Sequence, residues 1–284
     1  MGKNNNSSRV LHPCFVCIGA QKAGTTWLYD NLCQHPGVWM PPVKEIHFFN
    51  TVSPNEQLLG IETYNHLTFK QLWRVFLKNP SLENLRWLKK FYWEHKTIQW
   101  YYEMFAISPT GKCSGDITPG YSTLDDRGVA FARKVLPNHC NVFIILRNPI
   151  ERIWSGIKMN YRWKGGDIQH VNLAVLAKEM RIASHYLRTD YSRMIKLWEK
   201  YFPNNFKIFL YDDLRENPAC FLASIEEYIG INKFINPKIL VTKSNADKRR
   251  IKMPSEVKKF LLSEYTETIY NLESYLPGIK ERWL

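Results

Sequence analysis

Three short stretches of this 284-residue chain carry side chains suited to holding anions and moving a proton. The first is Gly19-Ala20-Gln21-Lys22-Ala23-Gly24-Thr25-Thr26. A short apolar run, Cys14 to Ile18, precedes it, and Trp27, Leu28 and Leu32 follow at helical spacing. Strand, glycine turn and helix start aim backbone N–H groups and a positive helix end at one spot, where an anion can sit. The hydroxyls of Thr25 and Thr26 and the ammonium of Lys22 add donors. The second stretch is Lys44-Glu45-Ile46-His47-Phe48-Phe49. Glu45 and His47 are two apart, so an extended backbone turns both the same way. A carboxylate and an imidazole are the groups that accept protons near neutral pH. The third begins as an apolar run, Asn141 to Leu146, typical of a strand buried on both faces of a parallel sheet. Arg147-Asn148-Pro149 follows, and Pro149 opens a helix at its first turn. Arg147 offers a planar fork suited to phosphate, and Ser155 lies one to two turns further on.

Each stretch also has an ordinary reading: a glycine turn needed for geometry, a surface Glu beside a satisfied His, an Arg in a salt bridge. The first departs from the Walker A pattern in an informative way. Gly19 and Gly24 have the Walker spacing, but Thr25 stands where the lysine belongs, and the lysine sits upstream at Lys22. A Walker lysine reaches β- and γ-phosphates and the neighbouring Ser/Thr holds Mg²⁺. This loop suits a single phosphate, with Lys22 beside whatever that phosphate carries.

QKAGTTW resembles the loop of sulfotransferases that binds the 5′-phosphosulfate of 3′-phosphoadenosine 5′-phosphosulfate (PAPS). LRNPIERIWS resembles the 3′-phosphate site of the same family. KEIHFF is similar to a segment of its glycan-modifying branch, the heparan-sulfate and bacterial carbohydrate enzymes. The resemblance runs from about Phe15 to the last helix. It implies sulfuryl transfer from PAPS to a hydroxyl or amine, with carbohydrate the favoured acceptor and no metal. It further implies that Lys22, Ala23, Gly24, Thr25, Thr26 and Trp27 surround the 5′ end and that Arg147 and Ser155 hold the 3′-phosphate. Glu45 is then the general base, with His47 the alternative and Lys22 the group facing the leaving phosphate. Lys44, and Asp116 and Tyr121 in Lys112-to-Tyr121 (KCSGDITPGY), are implied near the acceptor. Lys248, Arg249 and Arg250, in the basic loop 242–252, are implied to fold over the donor. A 3′-phosphate site argues against ATP. The competing readings are a sulfotransferase with a lipid or small-molecule acceptor, a P-loop kinase, and a non-catalytic basic protein that binds glycans or nucleic acid, although no nucleic-acid module is recognisable.

The formal net charge of +13 favours anionic partners and is spread along the chain rather than held in a tail. No apolar run approaches the length of a membrane span. MGKNNNSSRV is polar, which reads as a flexible lead-in over residues 1–10 and not as a signal peptide. The six cysteines lie mostly in apolar runs without zinc-site spacing, pointing to reduced, buried thiols and a cytoplasmic compartment.

The elements that must position these groups alternate strand and helix. Strands are expected at Cys14–Ile18, Val38–Met40, around Lys112–Ile117, at Asn141–Leu146 and at Phe206–Tyr211. Asp212-Asp213-Leu214 then reads as a turn. Helices are expected at Thr25–Leu32, Asp126–Leu136, from Pro149, over 171–201, at Asn217–Tyr228 and from Pro254 to about Tyr275. Residues 53–108 read as aromatic-rich helices laid over the sheet, a candidate lid lining an acceptor site. The fold class expected is α/β: one domain over 11–284, a P-loop-like parallel sheet flanked by helices, with 53–108 inserted as that lid.

Overall fold

The computed structural model describes residues 12–52, 69–163, 178, 183–234 and 251–284. Residues 1–11, the first part of the candidate lid at 53–68, and Lys248, Arg249 and Arg250 lie outside the described residues. Five strands form one sheet: β1 (Phe15–Gly19), β2 (Val38–Trp39), β3 (Cys113–Ile117), β4 (Asn141–Leu146) and β5 (Phe206–Leu210). The order is β2-β3-β1-β4-β5 and every pairing is parallel. The apolar run of β4 pairs with strands on both sides, and Val142 to Leu146 are fully buried. Gly115 permits the close contact of β3 with β1, since a Cβ there would stand 2.0 Å from the ring of Phe15.

This order places the site. From β1 the chain crosses to β2 and β3 on one side, then returns to β4 and β5 on the other. The order reverses between β1 and β4, and the crevice beyond their carboxyl ends is where open parallel sheets bind ligands. Both junctions expected from the sequence to bind anions lie there. β1 leads through the glycine turn into α1 (Thr25–Leu32), and β4 leads through Arg147 into the helix Pro149–Trp163.

Beside the sheet stand α2 (Phe69–Lys78), α3 (Leu82–Trp93) and α4 (Ile98–Glu103), the described part of the aromatic insertion. Ser81 and Thr97 cap α3 and α4 by accepting from the N–H groups of Asn84 and Trp100. The tryptophans divide. Trp87 and Trp100 are buried, whereas Trp73 and Trp93 are 50% and 63% exposed. α5 (Asp126–Val135) starts at its Asp125 cap, and the helix from Pro149 is α6.

Three expectations need correction. The helical stretch 171–201 resolves, in its described part, into α7 (Ala183–Leu187) and α8 (Tyr191–Tyr201), separated where Asp190 caps α8 through Arg193 N–H. The turn expected after β5 is a helix, α9 (Tyr211–Glu216), whose Leu214 and Tyr211 pack against Gly24. The thiols are all free, but Cys33 and Cys220 are exposed and Cys14 and Cys113 half-buried, so burial holds only for Cys17 and Cys140. α10 (Pro218–Tyr228) has the Asn217 cap and first-turn Pro218 that its sequence specifies. α11 (Ser255–Tyr270) starts at Pro254, and a short α12 (Ile279–Trp283) closes the chain.

Candidate active site

Gly24 caps α1 with φ 84°, a backbone conformation open to glycine at little cost. A Cβ there would come within 2.6 Å of Leu214 Cδ2 and 3.1 Å of the Tyr211 ring. α1 begins with buried Thr25, and its opening N–H groups have no preceding turn to bond to. No acidic residue lies in its first turn to compete for an incoming anion. Trp27 is buried against Phe221, so it anchors the helix.

Lys22 also has positive φ, 70°, and its Nζ lies 3.7 Å from Met159 Sδ on α6. Burial, then the charges of Arg162, Arg147, Lys158 and Lys44, push its pKa down to about 8. Cations held this close favour an anion among them. Arg147 completes the arrangement. Its Nη1 donates to the carbonyl of Lys22 at 2.9 Å, and its guanidinium lies over the Tyr211 ring at 4.6 Å. The two junctions are therefore in direct contact. Glu151, in the first turn of α6, accepts from Arg147 Nη2 at 3.0 Å and from Arg215 at 3.3 Å. Ser155 is half-buried a further turn along α6.

The KEIHFF segment is not extended, contrary to expectation: Glu45 and His47 have φ of 70° and 55°. The side chains meet all the same. His47 Nε2 stands 3.3 Å from Glu45 Oε2, and Lys44 Nζ donates to Glu45 Oε1 at 2.6 Å. Lys44 Nζ also lies 3.3 Å from Thr25 Oγ1, bridging the glycine-turn helix and the carboxylate. Burial alone would raise the Glu45 pKa, but the hydrogen bond with His47 and the charge of Lys44 bring it down to about 2. Glu45 keeps a third of its side chain exposed, whereas His47 is buried. His47 Nδ1 lies 3.0 Å from Asn50 Oδ1, and the imidazole rests against Gly120, where a Cβ would come within 3.0 Å.

The profile of the sulfotransferase family matches residues 13–235. The chain belongs to the sulfotransferase family. It is 23% identical over 242 residues to the human bifunctional heparan sulfate N-deacetylase/N-sulfotransferase 2, a match spanning 79% of this chain and 22% of that protein. It thus spans about a fifth of the length of that relative. Among solved structures it resembles a sulfotransferase from Alicyclobacillus acidocaldarius, with TM-score 0.65 and 18% identity over 94% of this chain and 96% of that one. It also resembles the sulfotransferase domain of the Synechococcus PCC 7002 olefin synthase, with TM-score 0.55 and 17% identity over 90% and 95% of the two chains. These likenesses establish the fold. No described helix of this sulfotransferase is long and apolar enough to cross a membrane, and the described residues hold no cluster of three or more metal-ligating side chains.

Asp116 and Tyr121 differ from the sequence-based expectation of acceptor contact. They are 1% and 0% exposed and offer an acceptor no surface. Asp116 instead accepts from Thr118 Oγ1 at 2.6 Å, Tyr121 OH at 2.9 Å and Tyr101 OH at 3.2 Å. Tyr121 OH in turn accepts from Phe48 N–H at 3.0 Å, and Tyr101 stacks on Phe48 at 4.7 Å. The network fixes the segment that carries Glu45. Asp116→Ala orphans buried hydroxyls and should destabilise the fold by about 3 kcal/mol or more. Denaturant unfolding of the variant measures this, and an unchanged midpoint would show the network to be dispensable.

Sequence reasoning missed four residues here. Glu151 had a local signal, four residues after Arg147. Tyr211 and Met159 arrive from distant elements. Lys96, between α3 and α4, places its Nζ 3.4 Å from the carbonyl of Ile46 and over Trp100 at 5.7 Å. Burial pushes its pKa down to about 8.

Proposed function

We propose that this sulfotransferase moves a sulfuryl group from PAPS to a hydroxyl or amine, with a carbohydrate as the acceptor. The observation that carries the reading is the contact of Arg147 Nη1 with the Lys22 carbonyl, which joins two anion sites over one crevice. A donor phosphorylated at both ends of one nucleoside spans such a pair. The residues fit that group: Thr25, Thr26 and the opening N–H groups of α1 face its 5′ end, and Arg147 and Ser155 its 3′-phosphate. Lys248, Arg249 and Arg250 are proposed as later contacts over the donor. The carbohydrate acceptor is supported by KEIHFF, by the net charge of +13 and by the likeness to a relative whose name specifies heparan sulfate. The insertion 53–108, whose described part carries the exposed Trp73 and Trp93, is proposed as the acceptor's lid.

Bound, PAPS supplies a sulfuryl group on a single phosphate leaving group. Lys22 and the loop N–H groups oppose the charge that develops on the leaving oxygen. Glu45 takes the acceptor's proton, because it is the carboxylate with an open side. His47, buried with its Nδ1 3.0 Å from Asn50 Oδ1 and its Nε2 3.3 Å from Glu45 Oε2, positions Glu45 rather than receiving the proton. Lys44 links the two halves. An anion beside Thr25 draws its ammonium away from Glu45, and the loosened carboxylate, still largely enclosed, becomes a stronger base. Orienting donor and acceptor in line supplies much of the remaining acceleration.

Lys44→Met should therefore move the acid limb of the free-enzyme kcat/KM profile to higher pH, because the carboxylate loses one of the neighbours that hold its pKa down. An unmoved acid limb would remove Lys44 from this role. Lys22 is charged below about pH 8 and neutral above it. kcat/KM for the donor should fall as pH rises through that value, and Lys22→Arg should abolish the alkaline limb while leaving measurable turnover.

The deciding experiment is calorimetric titration with 3′-phosphoadenosine 5′-phosphate, ATP and heparin, together with transfer from ³⁵S-labelled PAPS to an acceptor panel. Binding of the bisphosphate with ATP excluded, and label on a saccharide, supports the reading. ATP binding dependent on Mg²⁺ would indicate a kinase, and heparin binding without nucleotide binding a non-catalytic glycan protein.

A further inference from the structure

Lys96 stands in the short link between α3 and α4, where the aromatic insertion meets the segment that carries Glu45. Both sides of the link are fixed. Glu94 N–H closes α3 by donating to the Lys90 carbonyl, and Thr97 caps α4 by accepting from Trp100 N–H at 3.0 Å. Lys96 Nζ donates to the carbonyl of Ile46, the residue between Glu45 and His47, at 3.4 Å, and lies 5.7 Å from the centre of the Trp100 ring. Trp100 is itself buried. Its Nε1 donates to the Lys90 carbonyl at 3.2 Å, and its ring lies 6.2 Å from that of Phe48. One polar and one aromatic contact therefore hold the ammonium at the KEIHFF segment.

This cation has no acid of its own. Among the described residues Lys96 forms no ion pair, and the carboxylates around it are engaged elsewhere: Glu94 and Glu103 pair with Lys90, and Glu45 with Lys44 and His47. Asp116 accepts from Thr118, Tyr121 and Tyr101 and acts on Lys96 through its charge. Burial, against that charge, pulls the Lys96 pKa down to about 8, which leaves it mostly a cation at neutral pH. An ammonium carries three donors, and the Ile46 carbonyl at 3.4 Å takes one of them weakly. A half-buried cation of this kind gains from an anion that reaches it, the more so for being partly shielded from water. Lys96 is not part of the base, since burial, His47 and Lys44 set the Glu45 pKa. Trp93, the last residue of α3, is 63% exposed and offers a flat face for a sugar ring.

We infer that Lys96 is a subsite for a carboxylate or sulfate on the acceptor, so that the saccharide this enzyme takes is an acidic one. The inference rests on the carbohydrate reading of the site and adds a charge requirement to it. Glu45 and Lys44 meet at the reacting group. Lys96 reaches the same segment from the insertion and takes a charge elsewhere on the same saccharide. The Ile46 carbonyl keeps one ammonium hydrogen, and the others turn to the anion. Arg147 must give up Glu151 before it can bind a phosphate, whereas Lys96 has no carboxylate to give up. The contact thereby ties the insertion to a bound acceptor.

The full chain is titrated calorimetrically with matched oligosaccharides, with and without saturating 3′-phosphoadenosine 5′-phosphate. One oligosaccharide alternates glucuronic acid with N-acetylglucosamine, the second is its carboxyl-reduced form, and the third is that reduced form carrying O-sulfates. The wild type should bind an acidic form more tightly than the neutral one. Lys96→Met should weaken that acidic form about tenfold or more and leave the neutral one within about twofold. Lys96→Gln keeps a donor for the Ile46 carbonyl without the charge and should show the same loss, while Lys96→Arg should retain the preference. A loss confined to one acidic form tells carboxylate from sulfate. Equal weakening of all three oligosaccharides would make Lys96 only a brace for the KEIHFF turn. Unchanged binding of the acidic forms in both uncharged variants, or no wild-type preference for them, would remove the subsite. A wild type that binds no 3′-phosphoadenosine 5′-phosphate would sink the donor reading alone, because the saccharide titrations also run without it.

Discussion

Glu45→Gln should abolish most turnover and leave the donor site intact. A positioned general base contributes on the order of 10²–10⁴-fold, and the amide cannot take a proton from the acceptor. The substitution keeps the shape of the side chain. Its carbonyl oxygen can still accept from His47, now 3.3 Å from Oε2, so the backbone turn at φ 70° keeps its support. Binding of 3′-phosphoadenosine 5′-phosphate should stay within about twofold of wild type, because Glu45 meets that site only through Lys44. Such a split separates lost chemistry from lost binding. Single-turnover transfer with saturating PAPS, paired with calorimetry, measures both halves. Wild-type turnover in this variant would remove Glu45 from the reaction, and His47→Ala would then be the informative substitution.

The outcome bears on why part of the site was legible in the sequence and part was not. β1, α1, β4 and the start of α6 follow from local rules. The apolar runs had strand length, the glycine turn led into helical spacing, and Pro149 fixed a helix start. The residues on those elements fell where their spacing placed them. Glu45 and His47 came out as neighbours for a different reason from the one the spacing suggested. An extended strand would have aligned them, but the chain turns left-handed at both residues. That conformation is held from outside the segment, by Tyr121 bonding Phe48 N–H, Gly120 admitting the imidazole, and Tyr101 stacking on Phe48. No local pattern encodes contacts made from more than fifty residues away. Asp116 misled for a different reason, since its three hydroxyl partners lie only 2, 5 and 15 residues away. The end of a parallel strand is where site residues gather, and its burial becomes apparent only once three hydroxyls from other positions close over it. Tyr211 was hidden by its neighbours, since Asp212-Asp213 after a strand looks like a turn until Leu214 packs on the glycine loop.

Arg147→Ala should weaken 3′-phosphoadenosine 5′-phosphate by about 10–50-fold and leave 5′-AMP within about twofold. A hydrogen bond to a charged group contributes about 1.5–3 kcal/mol, which is roughly 10- to 150-fold in affinity. The lower part of that range is expected because Arg147 is not idle before the nucleotide arrives. Glu151 accepts from its Nη2 at 3.0 Å, so a 3′-phosphate must displace a carboxylate, which then falls back on Arg215. Competition reduces the net gain without changing its specificity, since 5′-AMP has no 3′ group to make the exchange. Stacking of the guanidinium on Tyr211 and its bond to the Lys22 carbonyl are lost in the variant too, and both ligands feel that equally. The ratio of the two losses is therefore the quantity to measure, by calorimetry at fixed ionic strength. Equal weakening of both ligands would mean that Arg147 only braces the glycine turn, and the bisphosphorylated donor would lose its principal support.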